Sequence, residues 1–157
     1  MSTRAASLLL GVASAAGIFV LDQLAKARWF VTPDAPAGFW YLNGWIQSVV
    51  HKNYGITFNL PLPTAATLII TVVALCWVLR ELHTSWKRSD VYSCILLGLI
   101  IGGALGNAYD RAVLHYVRDW LLLWHLSAVN LADGSILVGA IGYLYRRGAA
   151  SRRVASS

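Results

Sequence analysis

Four apolar runs separated by short polar breaks dominate the chain, covering residues of about 5–30, 64–79, 91–109 and 126–145. Each approaches the ~20 apolar residues that a helix needs to cross a bilayer. The pattern predicts an all-α membrane protein, with four transmembrane helices in one domain over residues 1–157. The segment between the first two runs, about 32–62, reads differently: "WIQSVV" alternates and is rich in β-prone residues, which predicts short strands on the outer membrane surface. Residues 80–90 read as a short turn between helices, and about 146–157 as a solvated tail. No internal repeat is visible. "ASAAG" in the first run has the small residues of a cleavage site, but the run continues through "IFVL", so an uncleaved helix is expected.

Composition agrees: 57% of residues are hydrophobic and 13% are charged, well below the quarter typical of soluble domains. A net charge of +6 invites a nucleic-acid reading, so placement of the charges decides. Eight of the 13 basic residues (Arg4, Arg80, Lys87, Arg88, Arg146, Arg147, Arg152, Arg153) flank helix ends on one side. The other five are Lys26, Arg28, Lys52, Arg111 and Arg118, and no basic stripe interleaved with aromatics appears. The positive-inside rule then puts both termini in the cytosol, and nucleic acid is excluded as a partner. Cys76 and Cys94 lie in apolar runs and suggest neither a disulfide framework nor a zinc site.

With that orientation, the polar residues of the spans gather at the outer boundary. Asp22 and Lys26 share a helix face one turn apart; Asn107, Asp110 and Arg111 end the third run; Asn130 and Asp133 open the fourth; Asp119 lies in the connection before it. Ionisable groups cost about 2.5–3.5 kcal/mol at a helix centre on insertion scales, so a cluster at one depth marks a functional site. "GGALGN" places Gly102 and Gly106 in a G-x-x-x-G pattern, which predicts close helix packing that would carry Asn107 and Asp110 toward the first and fourth helices.

The residue types narrow the chemistry. His51, His83, His115 and His125 accompany no "GxSxG" or reactive-cysteine context, and no "HExxH" or clustered ligand set suggests a metal. What remains is acid–base work by carboxylates that share a proton near a low-dielectric boundary. Asp119 and Asp133 are natural candidates, although spacing alone does not single out Asp119 over Asp110. A proton or cation path would spread polar groups through the membrane depth instead.

In order along the chain stand "LDQLAK", "KNYGITF", "GGALGNAYDR", "VRDW" and "NLAD". This ordered set resembles bacterial lipoprotein signal peptidase (signal peptidase II), whose motifs read D-Q-x-x-K, N-x-G-x-x-F, G-G-A-x-G-N-x-x-D-R, V-x-D-F and F-N-x-A-D. The resemblance implies an aspartyl endopeptidase of the bacterial inner membrane, acting near its periplasmic face without a cofactor. Its substrate would be a prolipoprotein signal peptide beside a lipid-modified cysteine, reached among membrane lipids by a monomeric enzyme. Carried over by position, Asp119 and Asp133 become the catalytic pair, and Asp22, Lys26, Asn53, Gly55, Asn107, Asp110, Arg111, Asn130 and Ala132 become substrate-binding or supporting residues. A silent lipoprotein- or lipid-binding relative is the alternative. Departures are Ala25 for Thr or Ser, Trp120 and Val129 for Phe, and Gly134 for Ser or Thr. Asp119 and Asp133 also stand only fourteen positions apart, so the connecting loop is trimmed.

Overall fold

The computed structural model describes residues 2–30, 40–41, 45–55 and 64–155. In chain order the elements are α1 (Thr3–Trp29), β1 (Trp40–Tyr41), β2 (Ile46–Asn53), α2 (Thr64–Lys87), α3 (Val91–Leu114), β3 (Val117–Leu123), β4 (Ser127–Val129) and α4 (Leu131–Ala155). Of the expected outer segment, residues 31–39, 42–44 and 56–63 lie outside the described residues. α1, α2 and α3 are long and apolar enough to cross a membrane.

Three boundaries differ from the sequence reading. α2 continues to Lys87, because "RELHTSWK" carries good helix formers, and the turn before α3 shrinks to Arg88–Asp90. Asp90 then caps α3, accepting from the Ser93 amide at 3.1 Å. α4 starts at Leu131, not near residue 126, because Ser127–Val129 are held as a strand. It also runs unbroken through the expected tail as far as Ala155.

The strands expected between α1 and α2 form only half of a sheet. β1 and β2 pair antiparallel with β3 and β4, in the order β1-β2-β3-β4, so the connection before α4 supplies the other half. The chain reverses between β3 and β4 at Trp124 and His125, which take φ of 48° and 57°. The Leu126 amide donates to Leu123 O at 2.9 Å, closing a turn of the I′ kind whose twist suits a hairpin. Non-glycine residues pay for that backbone shape, at about 1–2 kcal/mol each. The Trp124 amide donates to Trp45 O at 2.8 Å and ties the turn back to the start of β2.

α3 is the central helix, and small residues on two of its sides let its neighbours approach. A methyl group at Gly98 would overlap the Gly11 carbonyl of α1, one at Gly102 the Ala15 carbonyl, and one at Gly103 the Ser135 hydroxyl of α4. Gly106 is as close to the site, since its Cβ would lie 2.6 Å from an Asp22 carboxylate oxygen. The expected close packing is therefore present, and it extends a turn further than the G-x-x-x-G pair. Toward the opposite end, Val78, Leu97, Ile101 and Tyr143 form a buried core. The Tyr143 hydroxyl donates to Glu81 at 2.5 Å and joins α2 to α4 there.

This packing predicts a sharp contrast between glycines. Gly98→Ala forces two backbones apart and should cost about 1–3 kcal/mol, as overpacking does. Gly17→Ala meets nothing within 4 Å and should be neutral or stabilising by about 0.5–1 kcal/mol through helix propensity. Thermal unfolding of the two variants in detergent micelles checks the difference.

Candidate active site

The site begins with a buried ammonium group. Lys26 is fully buried near the end of α1, and its three N–H donors meet three acceptors. These are Asp22 at 2.7 Å, Asp110 at 3.2 Å and Asn107 Oδ1 at 3.1 Å. Since Lys can only donate, Asn107 must turn its oxygen toward Lys26 and its amide nitrogen away. That nitrogen donates to Asp133 Oδ1 at 2.8 Å. Asn107 Oδ1 also accepts from Asn130 Nδ2 at 3.1 Å, and the same nitrogen donates to Asp119 Oδ1 at 2.7 Å. One lysine thus sets the direction of a chain of amides that ends on both candidate carboxylates.

The start of α4 is fixed by the same groups. Asn130 is its N-cap: its side-chain oxygen accepts from the Asp133 amide at 3.0 Å, while Asp133 Oδ2 accepts from the Asn130 amide at 3.2 Å. This reciprocal pair is a capping box with Asp in place of Glu. The Ala132 amide donates to Asp22 Oδ1 at 3.0 Å, docking the helix terminus on α1. Ala132 is itself fully buried, which leaves no room for a larger side chain against α3.

Asp119 comes from β3. It is fully buried, and its second oxygen accepts from Asn53 Nδ2 of β2 at 3.0 Å. Asn53 in turn accepts from the Gly55 amide at 3.0 Å, and the Gly55 carbonyl accepts from buried Arg111 at 2.8 Å. Among the described residues, no cation stands within ion-pair distance of Asp119 or Asp133. Burial first, then the charge of Asp133, push the Asp119 carboxyl up to about 7, against the amide hydrogen bonds that favour its ionised form.

The geometry therefore separates two aspartates that spacing left equivalent. Asp110 is occupied, paired with Lys26 and bound by Arg118 through its backbone amide at 3.0 Å and its guanidinium at 2.7 Å. Asp119 instead accepts from the side-chain amides of Asn53 and Asn130. The structure brings all eleven expected residues into one neighbourhood at one end of the helices. It adds two that sequence reasoning missed: Arg118, and Gln23, whose Oε1 accepts from Arg118 at 2.6 Å. Gln23 stands in the D-Q-x-x-K motif, but its partnership with Arg118 spans 95 positions and leaves no local signal.

Asp133, Asn53, Asn107 and Arg111 line the polar end of a cleft of about 340 Å³. Its remaining walls are apolar or weakly polar and come from α2 (Thr67, Ile70, Thr71, Ala74), α3, β4 and α4. A chain segment in this cleft would meet apolar surface along most of its length and the Asp133 carboxylate at one end, with Asp119 buried behind Asn53 and Asn130. Two carboxyl groups joined through Asn130, its side-chain amide on Asp119 and its backbone amide on Asp133, with Asp119 holding its proton near neutrality, can activate a water and protonate a carbonyl oxygen.

Comparison with known proteins agrees with this reading. The family model described as signal peptidase (SPase) II matches residues 14–147. The lipoprotein signal peptidase of Pseudomonas aeruginosa strain UCBPP-PA14 is 30% identical over 138 residues, covering 79% of each chain. That of Alteromonas mediterranea is 33% identical over 135 residues, covering 78% of this chain and 71% of the relative. In fold, the chain is similar to a bacterial membrane enzyme solved by the in meso method at 2.3 Å. The TM-score is 0.74 at 21% identity, over 87% of this chain and 85% of that one. With the family model spanning most of its length, and relatives of one description matching over the same region, the chain belongs to the signal peptidase II family of membrane peptidases.

Proposed function

We propose that the protein is an intramembrane aspartyl endopeptidase that removes signal peptides from diacylglyceryl-modified prolipoproteins, with Asp119 and Asp133 as its catalytic pair. The observation that carries this reading is the placement of Asp133 at the polar end of an apolar cleft, with buried Asp119 held beside it by the Asn130 side chain. A signal helix and the acyl chains of the modified cysteine suit the apolar walls, which leaves the scissile bond at the carboxylates.

In this reading α4 is a fourth crossing, both termini are cytosolic and the site lies near the periplasmic face of the inner membrane. α4 supports that placement with an outward row of exposed Leu137, Val138, Ile141 and Leu144, followed by Arg146 and Arg147. The dyad shares one proton, written here on Asp119, whose carboxyl is pushed up to about 7. Asp133 takes a proton from water as the oxygen attacks the scissile carbonyl carbon, and Asp119 gives its proton to the carbonyl oxygen. The gem-diol intermediate then collapses: one hydroxyl returns its proton to Asp119 as the carbonyl re-forms, the C–N bond breaks, and the leaving amine takes up the proton held by Asp133. Asn53 and Asn130 hold Asp119 in place by donating to it throughout.

One observation favours a second reading, a silent relative that binds lipoprotein or lipid: the capping box gives Asp133 a structural role. Substitution separates the two. Asp119→Asn and Asp133→Asn should each lower prolipoprotein cleavage by at least ~10³-fold, with the Asp119 variant as abundant and folded as the parent. Cleavage at the parental rate by the Asp119 variant would rule out the dyad.

The pH dependence follows from Asp119. Its carboxyl titrates near ~3.9 when unfolded and about 7 when folded. The folded state therefore binds an extra proton between these values, and stability falls as pH rises from ~4 toward ~7, then levels. Asp119→Asn should flatten that slope in pH-dependent thermal unfolding. In the parent, kcat/KM should fall on the alkaline side through about pH 7, as the dyad loses its last proton.

A further inference from the structure

Asp119 stands in a strand, and strands direct neighbouring residues to opposite faces. Its two neighbours both reach back toward the helix ends. Trp120 stacks on Trp29 at the end of α1, with ring centroids 5.0 Å apart and an interplanar angle of 22°. Arg118 is held more firmly: its amide and guanidinium both bind Asp110 at the end of α3, and Nη2 also donates to Gln23 of α1. A planar fork with a fixed donor geometry is suited to hold two acceptors from two helices at once. The peptide immediately before Asp119 is thus tied to both helices that carry the lysine and amide network.

We propose that Arg118 is a positioning residue for Asp119: its three-way hold on Asp110 and Gln23 sets where β3 leaves α3, and so where the Asp119 carboxyl stands relative to Asp133. This rests on the peptidase reading above. The trimmed connection makes such an anchor necessary. Only the turn Trp124–Leu126 separates β3 from β4, and Val129 is followed at once by Asn130 and α4. A hairpin this tight transmits any tilt of β3 directly to the dyad. Arg118 also balances charge, since Asp22 and Asp110 face only Lys26 and Arg118 in the buried cluster. Its side chain is 17% exposed, so a small cation can reach the place it fills.

The test uses the full chain in detergent micelles with a lipid-modified prolipoprotein substrate, comparing Arg118→Ala and Arg118→Lys with the parent at equal folded content. Arg118→Ala should lower kcat by about 10–100-fold, as a misplacement near 1 Å does, with KM changed less than about twofold. Arg118→Lys should recover part of the loss, because an ammonium reaches Asp110 but cannot fork to Gln23. Guanidinium at low millimolar concentration should raise kcat of the Ala variant and leave the parent unchanged. Hydrogen exchange of the β3 amides should quicken in the Ala variant while the α3 and α4 cores stay protected. A kcat within twofold of the parent, or β3 exchange identical to the parent, overturns the proposal. Were the parent itself to cleave no lipid-modified precursor, the peptidase reading would fall, and β3 exchange would still decide the role of Arg118.

Discussion

The structure depends on a lysine that has been taken out of water. Lys26 has no exposed surface, and removing an ammonium from water costs several kcal/mol unless every donor is met. Asp22 meets one from the same helix, while Asp110 and Asn107 of α3 meet the others. Both pieces of α3 must therefore sit at a fixed height against α1, and the small residues at Gly98, Gly102 and Gly106 are what allow that approach. Buried ion pairs are often no more stabilising than well-packed apolar residues of similar volume, so the value of this cluster lies in register. Once Lys26 has fixed the polarity of Asn107, the amide nitrogen has only one direction left, toward Asp133.

From there the network does two kinds of work with one set of groups. Asn130 caps α4, and its side-chain amide also holds Asp119. Asp133 returns the cap, and it also raises the proton affinity of Asp119 through its charge. A carboxylate at the first turn of a helix is favoured by the dipole, which suits Asp133 to the mouth of α4. Folding the mouth of α4 therefore brings the two carboxyl groups together through Asn130. Asp110, nine positions before Asp119, is instead held by Lys26 and Arg118.

The sequence made the helices and the neighbourhood of the site readable, because apolar runs and short motifs are local signals. α1 and α3 followed from such runs, and the polar residues named at their ends lie together in the structure. What stayed illegible was non-local. "WLLLWHLSAV" has the hydrophobicity of a membrane entry, and only pairing with β2 reveals it as a hairpin. Asp110 and Asp119 carry identical side chains, and their roles separate only when Arg118 folds back eight positions to the first of them. Lys87 and Ala155 extend α2 and α4 beyond their apolar runs, since helix propensity outlasts hydrophobicity at a polar end.

The short connection between the two aspartates then has a physical explanation. Eleven positions must carry the chain from the buried carboxyl of Asp119 out along β3, round a reversal and back to Asn130. An irregular loop of that length would leave backbone groups unpaired beside a low-dielectric site, whereas a hairpin pairs them with β2 and with each other. The cost is the strained turn at Trp124 and His125, where non-glycine residues accept positive φ. A short hairpin has little slack with which to adjust the dyad, so its direction has to be set where it starts. The guanidinium of Arg118 and the stacked Trp29 and Trp120 rings stand at that point. A shorter loop here shifts the burden of placing Asp119 from the loop itself to the helix ends beneath it.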